Sequence, residues 1–311
     1  MLLIFGKMLT VAVLLILGVA IYKAGIVSVQ GSKEISALVI QICCPLMIIY
    51  NALEDESVFT PGELAEVLAV CAGVYLLLLA AGELLPRLLR VPKEKYPFYT
   101  MLSLFGNVGF IGLPIGLSIL GSGSMLYIVI FNMMYSVFFY TYGLVTMSRA
   151  VGQTIPFQPK SLVNAGTVSC LIALGIYLLR AVHPFAAPAL VADALGYVSC
   201  TTTFLAMLVL GVNLATAPLK EVLGDLRMYG FVLLRFLGLP CLLAIVLGCL
   251  LPGEPMLVSS MALMAAMPAG NMSVMLATNY NAETDTLTSG IVLSTLLCTV
   301  MIPVVSLFFP G

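Results

Sequence analysis

Two short stretches of the sequence combine glycine, proline and asparagine inside otherwise apolar segments. The first runs from Gly106 to Gly116 and contains Asn107, Gly109 and Pro114. Proline removes a backbone donor and clashes with the preceding helical turn, and glycine makes a helix entropically more costly. The stretch therefore predicts an interrupted helix. In a membrane, the backbone groups that such a break frees must be satisfied by protein or by a water-filled cavity.

The second stretch carries the same residue types in the same kind of surroundings. Pro268, Gly270 and Asn271 are followed closely by Ser273. If both segments break, their second halves begin with free N–H groups and the positive end of a helix dipole. Such an end binds carboxylate or phosphate without a full positive charge. We therefore predict a substrate site for an anion at Asn107, Gly109, Pro114, Pro268, Gly270, Asn271 and Ser273.

The composition places both stretches in a membrane protein. Of the 311 residues, 61% are hydrophobic and only 9% are charged, and the mean hydropathy is +1.15. A soluble domain carries roughly 25% charged residues, because its surface must be largely polar. The apolar runs are continuous and do not alternate with polar residues, which favours helices over membrane-spanning strands. No basic patch with interleaved aromatic residues indicates nucleic-acid binding.

Ten apolar segments approach the length that a helix needs to cross a bilayer, which is about 20 residues. The breaks between them contain turn residues and charges. We predict an all-α integral membrane protein with ten transmembrane helices. These segments cover residues 3–23, 34–54, 62–85, 97–120, 124–147, 161–181, 188–215, 228–250, 256–278 and 285–308.

The positive charges predict the orientation in the membrane, because cytoplasmic loops are enriched in lysine and arginine. Of the 13 lysine and arginine residues, ten lie in the loops after segments 1, 3, 5, 7 and 9. The opposite side holds only Lys7 and Arg180, and Arg235 lies within segment 8. The first group of loops is therefore predicted to be cytoplasmic, with both termini extracytoplasmic.

The ten segments divide into two repeats of five, residues 1–151 and 152–311. Because five is an odd number, the second repeat would be inverted in the membrane. The interrupted segments 4 and 9 occupy corresponding places, and paired broken helices are typical of secondary transporters built from inverted repeats. Asn51 and Asn213, near the ends of segments 2 and 7, are further candidates for contacts with the substrate.

The positive charge of Arg235, within segment 8, has several interpretations. An arginine inside a membrane is a functional candidate by default, and it could attract an anion. It could instead extend to the headgroups, or pair with Asp225 or with helix carbonyls. Ser294 and Thr295 are candidate ion contacts. No cofactor or metal is predicted, and the sequence leaves coupling to protons, coupling to sodium and uniport open.

The two stretches also carry a family resemblance that extends over the whole chain. The run Gly106–Pro114, with Asn107 seven residues before the proline, resembles the helix-4 motif of the auxin efflux carrier family, including its bacterial malate and malonate permease-like members. The second stretch, with the residues downstream of it, resembles the counterpart in the other repeat. The similar residues there are Met267, Pro268, Tyr280, Asn281, Asp285, Ser294, Thr295 and Pro303, and elsewhere Pro45, Arg235 and Pro240.

This resemblance implies a scaffold of helices 1, 2, 6 and 7, usually a homodimer contact, and a transport domain of helices 3–5 and 8–10. It implies elevator-type transport of small organic anions, such as mono- or dicarboxylates or auxin-like acids, with Pro114 and Pro268 at the crossover. The expected location is the bacterial inner membrane. A channel or a non-transporting receptor on the same scaffold is the alternative. The sequence has no HExxH or GxSxG motif, and no enzymatic activity is predicted.

Overall fold

The computed structural model describes residues 2–55, 57, 59–156, 160, 163–183, 187–216 and 225–310. Within these residues the secondary structure is helical, apart from one isolated antiparallel bridge between Gly106 and Ala269. The prediction of an all-α chain is thereby confirmed for the described residues. The helices are α1 (Leu2–Lys23), α2 (Val29–Glu54), α3 (Pro61–Leu88), α4a (Tyr96–Leu104), α4b (Val108–Leu120), α5 (Ser122–Val151), α6 (Ala165–Val182), α7 (Ala189–Thr216), α8 (Leu226–Leu250), α9a (Pro255–Ala265), α9b (Met272–Asn279) and α10 (Asp285–Ser306).

Seven of these helices are long and apolar enough to cross a membrane, namely α2, α3, α5, α6, α7, α8 and α10. The apolar part of α1, together with α4b and α9a, forms shorter apolar helices. Each predicted segment coincides with a helix or with a divided pair of helices, and the largest difference is at the start of α2, Val29 against residue 34. The chain is thus a multi-pass membrane protein, while ten spans in two inverted repeats stay a prediction.

The two predicted interruptions are both present. One separates α4a from α4b at residues 105–107, and the other separates α9a from α9b at residues 266–271. The first break therefore lies at the Asn107 end of its glycine-rich stretch. Pro114, which was predicted to mark it, lies inside α4b and is buried.

A wide helical turn explains why three prolines do not end their helices. Pro45 in α2, Pro114 in α4b and Pro240 in α8 each come two residues after a π-helical turn. A proline in a regular helix clashes with the carbonyl four residues before it. In each case that carbonyl belongs to the π turn, where the backbone is wider and its hydrogen bonding is altered. The helices consequently continue past these prolines.

Contacts divide the chain into two compact units. The first unit contains α1, α2, α6 and α7 together with α4b and the first half of α5, and the second contains most of α3, α4a, the second half of α5, α8, α9a, α9b and α10. Their bounds are Met1–Ala69, Gly109–Met133 and Val163–Ala217 for the first unit, and Val70–Val108, Met134–Leu162 and Pro218–Gly311 for the second.

In the first unit, α1 and α7 pack closely at two glycines. A Cβ atom on Gly18 would lie 2.7 Å from the carbonyl oxygen of Leu208, and a Cβ atom on Gly211 would lie 2.5 Å from that of Leu15. These atoms belong to the backbone of the opposite helix. The small residues therefore allow the two backbones to approach, as is common between helices in membranes.

Also in the first unit, an arginine of α6 caps the end of α2. Nη1 of Arg180 donates to the carbonyls of Ala52 (3.1 Å) and Asp55, and Nη2 donates to that of Leu53 (2.8 Å). The carboxylate of Asp55 accepts a hydrogen bond from the hydroxyl of Tyr177 (2.8 Å). The last carbonyls of a helix form the negative end of its dipole, so a cation there is favourable.

In the second unit, α4a is fixed against α3 just before the break. The hydroxyl of Thr100 donates to the carbonyl of Gly82 (3.1 Å), and that of Ser103 donates to the carbonyl of Leu78 (2.6 Å). Phe105, the first residue after α4a, packs edge-on against Phe139, with 5.0 Å between the ring centroids. These contacts hold the broken end of α4a in place.

Candidate functional site

The two interruptions cross each other in the second unit through a pair of backbone hydrogen bonds. The N–H of Asn107 donates to the carbonyl of Pro268 (2.7 Å), and the N–H of Gly270 donates to that of Phe105 (2.8 Å). The bonds run in opposite directions and flank the isolated bridge described above. The structure thus brings three of the predicted site residues together, Asn107, Pro268 and Gly270.

Two positions in this crossing need glycine because the opposite backbone is too close for a side chain. A Cβ atom on Gly106 would lie 3.2 Å from the carbonyl oxygen of Met267, and one on Gly270 would lie 3.1 Å from that of Phe105. Both contacts are tighter than ordinary van der Waals contact. The backbone atoms concerned could withdraw only by disturbing the crossing itself, so glycine permits the close approach.

The crossing removes backbone groups from their usual helical partners. In a continuous α-helix the N–H of Asn107 would donate to the carbonyl of Ser103, and the N–H of Ala269 to that of Ala265. Here the first N–H is used in the crossing, and the second donates to the hydroxyl of Ser294 (3.1 Å). Ser294, predicted as an ion contact, therefore supports the break in α9, and the carbonyls of Ser103 and Ala265 are left for another donor.

That donor is Arg235. Its side chain is only 1% exposed. Nε donates to the carbonyl of Ser103 (2.8 Å) and to its hydroxyl (3.0 Å), Nη2 donates to the same carbonyl, and Nη1 donates to the carbonyl of Ala265 (2.8 Å). Of the interpretations left open by the sequence, contact with helix carbonyls is the one observed. Asp225 instead caps the start of α8 by accepting from the N–H of Arg227 (2.9 Å).

The start of α9b presents donors directly after the crossing. The first N–H groups of a helix have no carbonyl partner inside it, and that of Ser273 reaches the carbonyl of Gly270 only at 3.4 Å. Ser273 is 1% exposed, and its hydroxyl has no hydrogen-bond partner among the described residues. Asn271 is exposed and Asn107 is partly exposed. A buried hydroxyl without a partner is uncommon, and an acceptor bound beside Ser273 would satisfy it.

The remaining predicted site residues do not take part in the two hydrogen bonds of the crossing, although Gly109 follows Asn107 by only two residues. Gly109, Pro114, Asn51 and Asn213 belong to the first unit. The amide of Asn51 donates to a carbonyl one turn earlier in α2 (2.8 Å), and Asn213 is exposed near the end of α7. Thr295 lies in α10 of the second unit and is 5% exposed. Their assignment to a binding site stays a prediction.

A second polar cluster of the second unit was not found by sequence reasoning. The carboxylate of Glu83, near the end of α3, forms ion pairs with Arg87 (3.1 Å) and Arg149 (3.4 Å). It also accepts hydrogen bonds from the hydroxyls of Thr100 and Tyr142, each at 3.4 Å. Apart from Arg87, one turn away on α3, the partners come from α4a and α5, so nothing in the local sequence pattern identifies the cluster. It ties the ends of three helices together.

Comparison with known proteins identifies one family. A family profile described as membrane transport protein matches the chain in two stretches, residues 3–159 and 153–306. Together the stretches cover nearly the whole sequence, and they meet in the connection between α5 and α6. No curated protein matches the chain.

Proposed function

The chain belongs to the membrane transport protein family, that of the auxin efflux carriers, and we propose that it is a secondary carrier of small organic anions. The substrate class comprises mono- or dicarboxylates, including auxin-like acids. We place the substrate at the crossing of the two interrupted helices in the second unit. The carrier is proposed to be a homodimer through its scaffold helices.

The observation that carries the proposal is the unpaired donor at the start of α9b. The hydroxyl of Ser273 is buried without a partner among the described residues, and the adjoining N–H groups carry the positive end of the helix dipole. A carboxylate offers several acceptor positions and could take hydrogen bonds from both. Such charge-assisted bonds are shorter and stronger than bonds between neutral groups. The amide of Asn271, exposed directly before the helix, offers a further donor.

For the mechanism we propose elevator-type movement of the domain that carries the crossing. The division into compact units supports a separate scaffold, because α1, α2, α6 and α7 fall into one unit and α8 to α10 into the other. The units differ from the domains implied by the family resemblance in two respects. The start of α3, up to Ala69, clusters with the first unit, and so do residues 109–133, which comprise nearly all of α4b and the first part of α5.

We propose a bacterial inner membrane location with both termini extracytoplasmic. Arg180 is the one arginine on the predicted outer side, and its guanidinium is bound to three carbonyls at the end of α2. Its position is therefore accounted for by packing. Arg235, the arginine within α8, is likewise bound to carbonyls. Arg235 was already outside the count of loop charges. With Arg180 set aside, ten positive charges on the predicted cytoplasmic side compare with Lys7 alone on the other side.

A matched pair of serine variants tests the site. Ser273→Ala removes the unpaired hydroxyl at the start of α9b, and Ser260→Ala removes a hydroxyl in α9a that is equally buried and also unpaired among the described residues. Carboxylates should raise the unfolding temperature of the purified wild type and of Ser260→Ala, but much less that of Ser273→Ala. Equal ligand-induced shifts of the unfolding temperature in both variants would show that the substrate does not bind beside Ser273.

Transport is tested in proteoliposomes loaded with unlabelled carboxylate. A carrier should show saturable uptake of labelled substrate and counterflow driven by the internal pool. Flux that rises linearly with concentration, without counterflow, would indicate a channel. Binding without any flux would indicate a receptor. Repeating the uptake with imposed sodium or proton gradients identifies the coupling ion.

A further inference from the structure

The ends of four half-helices adjoin the crossing, and their dipoles carry partial charges. α4a and α9a end there, and each C-terminal end contributes about −0.5 elementary charge. α4b begins at Val108 and α9b at Met272, directly after the crossing segments, and each N-terminal end contributes about +0.5. The crossing therefore combines two negative and two positive helix ends.

Arg235 acts on the negative ends only. Its guanidinium binds the carbonyl of Ser103, the penultimate residue of α4a, and that of Ala265, the last residue of α9a. Among the described residues no carboxylate lies within ion-pair distance of it. Its guanidinium carbon also lies 4.7 Å from the ring centroid of Phe236. One full positive charge is thus set against two half-negative helix ends.

The charge balance follows by addition. Arg235 and the two C-terminal ends sum to about zero, so the two N-terminal ends leave about one positive charge at the crossing. One negative charge on a ligand would balance it. A second negative charge would be held without compensation in a region of low dielectric, which is costly. A neutral ligand would leave the positive helix ends without a compensating negative charge.

We propose that Arg235 is a positioning residue that sets the charge selectivity of the crossing, which accepts a singly charged anion in preference to a dianion or a neutral molecule. The proposal rests on the proposed function, because it concerns the same site. Arg235 does not need to touch the ligand. It neutralises the half-helix ends that would otherwise cancel the field of α9b.

The shape of the side chain fits this role. Ser103 and Ala265 lie far apart in the sequence, and the planar guanidinium offers donors on different edges that reach both carbonyls at once. Lysine would bring the same charge, but its compact ammonium group lacks the planar, forked set of donors that a guanidinium has. A lysine variant should therefore keep the charge balance and lose part of the stability, whereas a neutral variant should lose the balance.

Three ligands that share a four-carbon skeleton test the inference: butyrate, succinate and butyramide carry one, two and no negative charges at neutral pH. Their dissociation constants are measured with the purified protein. The wild type should bind butyrate more tightly than either of the others. Arg235→Gln, which keeps a hydrogen-bonding side chain without charge, should reduce the preference for butyrate over butyramide by about tenfold or more. Arg235→Lys should retain it.

Arg227→Gln is the matched control, since Arg227 lies at the exposed start of the same helix. It should leave the order of affinities unchanged. A merely structural role of Arg235 would weaken all three ligands together and leave their ratios as in the wild type. An unchanged ratio in folded Arg235→Gln therefore overturns the inference.

The outcomes also separate this inference from the proposed function. If neither butyrate, succinate nor longer and aromatic carboxylates bind the wild type or are transported, the proposed function fails. If carboxylates bind but succinate is preferred to butyrate, the charge inference fails and the anion carrier stands. If Arg235→Gln does not fold, two other measurements test the charge inference. A wild type that binds succinate more tightly than butyrate would refute the inference. An Arg235→Lys variant that no longer binds butyrate more tightly than butyramide would also refute it.

Discussion

Ser294 is predicted to stabilise the broken part of α9 through one hydrogen bond, and Ser294→Ala removes it. The hydroxyl is fully buried and accepts from the N–H of Ala269 at 3.1 Å. Alanine leaves this N–H without its acceptor in the protein interior. Leaving a buried donor unsatisfied costs about 1–3 kcal/mol. We expect the free energy of unfolding to fall by that amount.

The chain provides its own control for the same chemical change. Ser260 is as deeply buried as Ser294, but its hydroxyl has no partner among the described residues. Ser260→Ala removes an unsatisfied polar group and leaves none behind. Its stability should be unchanged or slightly higher than that of the wild type.

Denaturant unfolding of the purified proteins in one detergent provides the measurement, with circular dichroism as the signal. Ser294→Ala should have a lower midpoint than Ser260→Ala at equal slope. Equal midpoints for the two variants would refute the reasoning, because they would mean that the pairing of the hydroxyl does not decide the cost of its removal.

Close approach and charge support three further predictions. Gly270→Ala should lower the free energy of unfolding by about 1–3 kcal/mol and weaken carboxylate binding, because the new Cβ atom would lie 3.1 Å from a backbone oxygen of the crossing. Gly248→Ala is the control in thermal unfolding, since a Cβ atom there would have open space around it. Gly211→Ala should destabilise the packing of α1 and α7 by a similar amount, and Gly175→Ala should not, when both are compared in the same assay. A reporter that is active only in the cytoplasm should stay inactive at the C-terminus, and activity there would contradict the proposed orientation.

The interruptions could be predicted from the sequence because their cause is local. Clusters of glycine and proline weaken a helix wherever they occur, and both clusters proved to be breaks. The position of the first break was less predictable. Pro114 was expected to mark it, but a π-helical turn before the proline allows α4b to continue. Whether such a turn forms depends on tertiary packing, which residue types alone do not reveal.

The partners of Arg235 could not be predicted for a different reason. The sequence left an anion, the headgroups, Asp225 and helix carbonyls as alternatives. The carbonyls of Ser103 and Ala265 become available only because the crossing takes away their helical donors. Backbone groups carry no signal in the residue types, so only the three-dimensional arrangement identifies them. The hydroxyl of Ser273, by contrast, was named from the sequence, but its lack of a partner among the described residues required the structure.

The crossing has a consequence for how the protein is made. Its two hydrogen bonds join Asn107 and Phe105 in the first half of the chain to Pro268 and Gly270 near the end of the second. During synthesis α4a and α4b enter the membrane long before their partner exists. Until then their freed N–H and C=O groups cannot face lipid. In the nascent first half these groups must therefore be in contact with water or with the insertion machinery. The crossing can form only after α9a and α9b have been synthesised.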